Sequence, residues 1–161
     1  KKTIAHSDSG AIIDINTNYL IIKDRVHNYI VATNYFNKIK NLKRNSKIEF
    51  SQFPLNWESY TFHDTVDNKK DFNEFSIPED LYNEEKLFLR CWNIGDRCYS
   101  NFYKKEIKLK KIFINNKISI IDKYTMPIIV DNQNNILCIP NLYTKINNKY
   151  SYKTIYWNKY K

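Results

Sequence analysis

Glycine and proline are scarce in this chain, with 2 Gly and 4 Pro among 161 residues. Average proteins use about 7% Gly and about 5% Pro, so the composition excludes collagen-like and linker-rich chains. Loops that cradle phosphate groups usually need several glycines, because the backbone must approach the anion closely. The sequence therefore predicts that this chain carries no glycine-rich nucleotide-binding loop.

Cysteines are few, and their number is odd. Cys91, Cys98 and Cys138 have no spacing that suits zinc, so we predict no metal site and reduced thiols packed as small hydrophobic groups. No apolar run approaches the ~20 residues that a membrane-spanning helix needs. The reduced cysteines and the lack of a signal-peptide pattern together predict a soluble protein with no membrane partner. Its predicted location is the cytoplasm or a plastid-type organelle matrix.

Arginine is also rare, since only 4 of the 26 basic residues are Arg, and the net charge is +9. The charge is unevenly distributed: the net charge is +5 over residues 1–50, −7 over residues 51–85 and +11 over residues 86–161. A Lys-rich coding bias alone would spread the charge evenly. The last part of the chain is therefore predicted to attract a polyanion.

Hydrophobic residues make up 42% of the chain, enough to bury a core. Short β-branched runs predict a meander of strands in the first third. A helix is predicted over residues 106–116, because its spacing places Leu109, Ile112 and Phe113 on one face. Further strands are predicted at residues 86–92, 127–131, 135–139 and 154–157. The predicted class is α+β, predominantly β, with two small domains. Residues 1–84 form an intermediate strand-rich segment with an acidic linker, and residues 85–161 form a β-rich domain with one basic helix.

Four ordered blocks in the second half carry a family resemblance. The run Leu-Arg-Cys-Trp-Asn-Ile-Gly-Asp-Arg at residues 89–97 resembles the stretch that opens the C-terminal domain of tRNA(Ile)-lysidine synthetase. The basic segment 108–118 is similar to the helix that follows in that family, and residues 126–131 and 135–140 are similar to its hairpin. Ser119 stands where the family has Pro, and residues 1–85 match only loosely.

The resemblance implies a role in tRNA modification. Enzymes of this family use ATP and Mg²⁺ to adenylate the wobble cytidine of tRNA(Ile), and free lysine then displaces AMP. Their catalytic domain carries an S-G-G-x-D-S loop, whereas Ser-Asp-Ser-Gly at residues 7–10 is interpreted as an ordinary loop. We therefore expect a non-catalytic, tRNA-binding portion of an ATP-dependent C–N ligase, without a cofactor or catalytic residue of its own. Its expected partners are tRNA(Ile) and its own N-terminal catalytic domain; a homodimer, and catalysis by this chain alone, stay open.

The candidate RNA-binding residues are the basic side chains of this resembling segment. They are Arg90, Arg97, Lys104, Lys105, Lys108, Lys110, Lys111 and Lys117. The two arginines suit a bidentate phosphate clamp, or a pair with Asp96 or another carboxylate, and the lysines suit RNA contact or a solvated helix face. Tyr99, Phe102 and Tyr103 could stack on bases or pack in the protein, whereas Trp92 is assigned to the core.

Two other functions fit the same residues. The chain could be a stand-alone basic RNA-binding module, or a protein-interaction domain whose basicity reflects only coding bias; neither would be catalytic. A dependence of RNA affinity on salt separates RNA binding from the second of these.

Overall fold

A computed structural model describes residues 10–25, 27–45, 48–50, 53–100, 104–146 and 150–159. The described part is built mainly from short antiparallel strands. The strands are β1 (Ile12–Asp14), β2 (Tyr19–Lys23), β3 (Asn28–Ala32), β4 (Ile48–Glu49), β5 (Leu55–Trp57), β6 (Tyr60–His63), β7 (Asn73–Pro78), β8 (Leu87–Arg90), β9 (Arg97–Ser100), β10 (Lys105–Lys108), β11 (Ile128–Asp131), β12 (Ile136–Ile139), β13 (Tyr143–Thr144) and β14 (Tyr152–Lys159). The helices are α1 (Thr33–Asn45), α2 (Glu79–Asn83), α3 (Leu109–Asn115) and α4 (Ile120–Thr125), and Lys69–Asp71 forms a 3-10 turn.

The strands form four sheets. The meander has the order β1-β2-β3, and a larger sheet has the order β13-β12-β11-β8-β4. A four-stranded sheet has the order β5-β6-β14-β7, and β9 pairs with β10 in a separate hairpin. This arrangement confirms the predicted α+β, predominantly β class.

The five-stranded sheet is covered on both faces. Leu89 and Ile129 belong to the core that this sheet shares with the four-stranded sheet. Ile128 and Val130 belong to a second core that also contains the inner face of α3. Neighbouring residues of β11 enter different cores. The sequence of this strand is therefore continuously apolar and does not alternate between apolar and polar residues.

A third core joins the meander to the helices. Leu20 and Ile22 of β2 pack with Phe36 and Ile39 of α1, all of them almost fully buried. Tyr124 of α4 meets Phe36 edge to face, with 5.6 Å between ring centroids. These contacts fix α4, which follows α3 in the chain, against the first third of the sequence.

Most of the strand predictions are confirmed, but the helix prediction is partly wrong. Residues 105–108 form β10, so the helix begins at Leu109 and not at Glu106. The cause is long-range pairing: Glu106 lies opposite Tyr99, and Ile107 lies opposite Cys98. The segment 36–47, for which no state was predicted, lies largely within α1.

The acidic linker contains a strand that the sequence did not reveal. Residues 73–78 form β7, which pairs along its whole length with β14. Phe75 and Ile77 are buried, with exposed or half-buried residues between and before them. The division into residues 1–84 and 85–161 stays a prediction, and the sheets contain strands from both sides of it, since β4 pairs with β8 and β14 pairs with β6.

The three cysteines are free and buried, as predicted. Within the described ranges, no group of His, Cys, Asp and Glu side chains is arranged to hold a metal ion. None of the helices in the described part of the chain combines the length and the apolar character that crossing a bilayer requires.

Burial raises the pKa of both Cys98 and Cys138 to about 12, from an ordinary value of 9.0. Since the thiolate is the reactive form, we expect iodoacetamide at pH 8 to label these thiols at least about 100-fold more slowly in the native protein than in denaturant. Because folding raises these pKa values, the thiols lower the free energy of unfolding only as the pH rises from about 9 toward 12. Mass spectrometry of the labelled protein measures the rates. Equal rates in both states would contradict the burial of the thiols.

Candidate nucleic-acid interface

Arg90, at the end of β8, forms a buried ion pair with Asp96. Only 6% of Arg90 is exposed. Its Nη1 donates to Oδ2 of Asp96 at 2.8 Å, and its Nη2 donates to Oδ1 at 2.9 Å. This bidentate geometry is the strong form of the arginine–carboxylate interaction. The structure thus places Arg90 in the carboxylate pair that was one of its two predicted roles.

The Gly-Asp turn connects this ion pair to α3. Gly95 has φ 102°, a conformation that favours glycine. Asp96 Oδ2 also accepts from the backbone N–H of Asn93 at 2.7 Å, and the Asp96 carbonyl oxygen accepts from the N–H of Leu109 at 2.8 Å. The Nε of Arg90 donates to Oδ1 of Asn134 at 2.8 Å. One buried guanidinium thereby fixes the turn that holds the start of α3.

Arg97 also faces a carboxylate, but at the surface. Its Nε donates to Oε2 of Glu106 at 3.1 Å across the β9–β10 hairpin, and 47% of its side chain is exposed. An exposed pair of this kind contributes about 0–1 kcal/mol, so a phosphate can replace the carboxylate at low cost. Phosphate binding by the exposed Arg97 stays a prediction, whereas the burial of Arg90 does not favour that role.

The predicted lysines lie on the outside of the hairpin and of α3. The helix buries Leu109, Ile112 and Phe113 against the sheet, as predicted, and this directs Lys110 and Lys111 outward. The exposed lysines of this region, which we call the α3 basic surface, are Lys104, Lys105, Lys108, Lys110, Lys111 and Lys117.

The α3 basic surface concentrates exposed cations in a short stretch of the chain. Lys108, Lys110 and Lys111 are all exposed on α3 or next to it. Ammonium groups on flexible side chains are suited to contact a polyanion.

Aromatic side chains near this surface differ in how far they are buried. Trp92 is half-buried and meets Phe113 edge to face, with 5.7 Å between ring centroids, which agrees with its assignment to the core. Tyr99 is 43% exposed on β9, so its ring is available for stacking. The predictions for Phe102 and Tyr103, and the interpretation of residues 7–9, lie outside the described residues.

A groove of about 270 Å³ lies at the base of the hairpin. Arg97, Tyr99, Glu106 and Asn134 are among the residues that line it. Tyr143 forms part of its wall, and burial raises the pKa of this phenol to about 12. The groove contains both positive and negative side chains, so it does not select phosphate as the α3 basic surface would.

Sequence reasoning missed two cations that the fold brings to α3. Arg25 lies in the turn between β2 and β3, and its Nη1 donates to the carbonyl oxygen of Ile114 at 3.1 Å. Lys123 lies on α4, where burial lowers its pKa; nearby Asp24 opposes this shift, and the charges of Arg25 and Lys110 add to it. No local signal could reveal the contact of Arg25, because 89 positions separate it from Ile114.

The geometry defines a sheet-rich α+β protein with a short helix that presents lysines to solvent. No family model matches the chain. The chain is similar to tRNA(Ile)-lysidine synthase from two strains of Staphylococcus epidermidis, with 31% identity over 85 residues. That match covers 49% of this chain and 19% of each relative, so the match spans about a fifth of the relatives' length. The predicted resemblance to this synthase is thus confirmed over about half of the chain.

A solved structure, described as the crystal structure of a TILS C-terminal domain, is also similar. It shares 22% identity with this chain at a TM-score of 0.46. The alignment covers 71% of this chain and 98% of that one.

Proposed function

We propose that this chain is a tRNA-binding, C-terminal portion of a tRNA(Ile)-lysidine synthetase. In this proposal it positions tRNA(Ile), and the catalytic domain of the parent enzyme converts the wobble cytidine to lysidine. The observation that carries the proposal is the α3 basic surface, whose lysines are exposed around a helix that is fixed by its buried inner face. The similarity to tRNA(Ile)-lysidine synthase supports tRNA as the polyanion.

Positioning is the chemistry that such a surface performs. Lysine contacts to phosphates release counterions and set the register of a nucleic acid without reading its sequence. Double-stranded RNA is recognised mostly through shape and backbone, since its deep groove is closed to side chains. A rigid helix with lysines on its outer face therefore suits the body of a folded tRNA.

ATP, Mg²⁺ and free lysine belong, in this proposal, to the catalytic domain of the parent ligase. Among the described residues, no cluster of His, Cys, Asp and Glu side chains could hold the Mg²⁺. Gly10 and Gly95 occupy separate turns and form no glycine-rich loop. We therefore assign no step of the reaction to a residue of this chain.

The proposal predicts that the double variant Lys108→Glu with Lys111→Glu binds tRNA(Ile) about 10- to 100-fold more weakly at moderate salt. Two phosphate contacts are lost and two repulsive charges are added. The slope of log K against log salt should fall by about 2 in magnitude, since each lost contact removes about one counterion. Filter binding across a salt series measures both quantities, and circular dichroism checks the fold.

Lys69→Glu with Lys70→Glu is the matched control. It makes the same change of net charge on the exposed 3-10 turn that precedes β7. Equal weakening by both double variants would show that only net charge matters. A salt-independent affinity of the unmodified chain would instead favour the protein-interaction domain.

A further inference from the structure

Cations from three separate elements meet around the C-terminal end of α3. The Ile114 carbonyl oxygen accepts from Nη1 of Arg25 and from the backbone N–H of Lys117, each at 3.1 Å. Lys110 lies one turn earlier than Ile114 on the same helix face. Lys123 of α4 completes the group, which draws on the β2–β3 turn, on α3 and on α4.

The fold holds these like charges together. Lys123 is half-buried, and burial lowers its pKa. The carboxylate of Asp24 opposes this shift, whereas Arg25 and Lys110 lower the pKa of Lys123 further. The elements stay in place because apolar contacts fix them, α4 through Tyr124 and neighbouring isoleucines, and α3 through its buried face. Packing thus maintains an excess of positive charge that an anion would relieve.

We propose that Arg25, Lys110 and Lys123 form a cradle for an RNA backbone phosphate. This inference rests on the proposed function and extends the proposed RNA-binding surface from α3 to the meander and α4. We call these three residues the phosphate cradle. Arg25 keeps donors for the ligand, because a guanidinium has five N–H groups and the bond to Ile114 uses one nitrogen.

An RNA phosphate fits the cradle better than the carboxylate of an acidic peptide. The cations are concentrated in one compact group, whereas successive carboxylates of a peptide are spread along a chain. A planar guanidinium can bind two phosphate oxygens, while ammonium groups neutralise the remaining charge. The neighbouring lysines of α3 would then follow the same RNA strand, because Lys110 belongs to both surfaces.

The first experiment removes two cradle charges that lie outside the α3 basic surface. We expect Arg25→Gln with Lys123→Gln to weaken tRNA(Ile) binding about 5- to 50-fold and to reduce the salt slope by up to about 2. Lys38→Gln with Lys70→Gln is the matched control, since both lysines are exposed, one on α1 and one on the 3-10 turn. Thermal unfolding of each variant shows whether the fold is kept. An Arg25→Lys variant separates the lost charge from the lost bond to Ile114.

The second experiment observes the cradle directly. We expect inorganic phosphate to shift the side-chain NMR signals of Lys123 and to raise its pKa in a saturable manner, and tRNA to compete with the phosphate. Normal tRNA binding by the Arg25→Gln, Lys123→Gln variant would overturn the cradle. Normal tRNA binding by the Lys108→Glu, Lys111→Glu variant would instead overturn the proposed function itself. Poly-glutamate binding that is stronger than tRNA binding and depends on the cradle would overturn the RNA assignment.

Discussion

Asp96→Ala is expected to lower the free energy of unfolding by about 3–5 kcal/mol. The substitution leaves Arg90 buried without its counter-charge, and a broken buried ion pair costs about this much. The backbone N–H of Asn93 loses its acceptor as well, which adds to the loss. Urea denaturation followed by tryptophan fluorescence measures the change in midpoint.

A neighbouring pair provides the control. Glu106→Ala removes the carboxylate from Arg97, but that pair is exposed and its loss should cost less than about 1 kcal/mol. Adding Arg90→Met to Asp96→Ala should recover part of the stability, since no unpaired charge then remains in the interior. Equal losses for Asp96→Ala and Glu106→Ala would contradict the burial of the Arg90 pair.

The same pair acts on the α3 basic surface at a distance. The carbonyl oxygen of Asp96 accepts from the N–H of Leu109, where α3 begins. Arg90 is thus a positioning residue: it holds the turn, the turn holds the helix, and the helix presents the lysines. The Gly-Asp-Arg run at residues 95–97 therefore has a structural role, and phosphate binding by its exposed Arg97 stays a prediction.

Local patterns in the sequence were sufficient for several elements. The apolar spacing of Leu109, Ile112 and Phe113 predicted which face of α3 is buried. The apolar runs at residues 127–131 and 135–139 predicted the strands β11 and β12, which pair with each other. These features were accessible because each depends on residues that are close in the chain.

Other features depend on partners that are distant in the chain. Residues 106–108 have a helical pattern but pair with β9, and an acidic stretch became β7 because β14 supplied its partner. The choice between phosphate and carboxylate for Arg90 depended on burial, which the residue type does not reveal. Arg25 could not be assigned to the site, because only the packed structure brings it to Ile114.

Phe113→Ala is expected to lower the free energy of unfolding by about 3–5 kcal/mol, the usual cost of removing a buried aromatic ring. Phe113 is 1% exposed and lies in the core formed by α3 and the five-stranded sheet. The substitution opens a cavity there and removes the edge-to-face contact with Trp92. Because α3 has only 7 residues, it depends on this packing more than on its own helix propensity.

Two variants test whether the cost comes from the lost ring. Phe113→Leu keeps most of the apolar volume and should cost clearly less than the alanine variant. Ile114→Ala changes the next residue on the same helix, which is 42% exposed. This variant should lower the free energy of unfolding by no more than about 0.5 kcal/mol. The proposed RNA binding by the lysines requires α3 to stay packed on the sheet. Under that proposal, Phe113→Leu should retain tRNA affinity, while Phe113→Ala should lose it as temperature rises toward its lowered midpoint. Equal stabilities of Phe113→Ala and Ile114→Ala would contradict this account of how α3 is held.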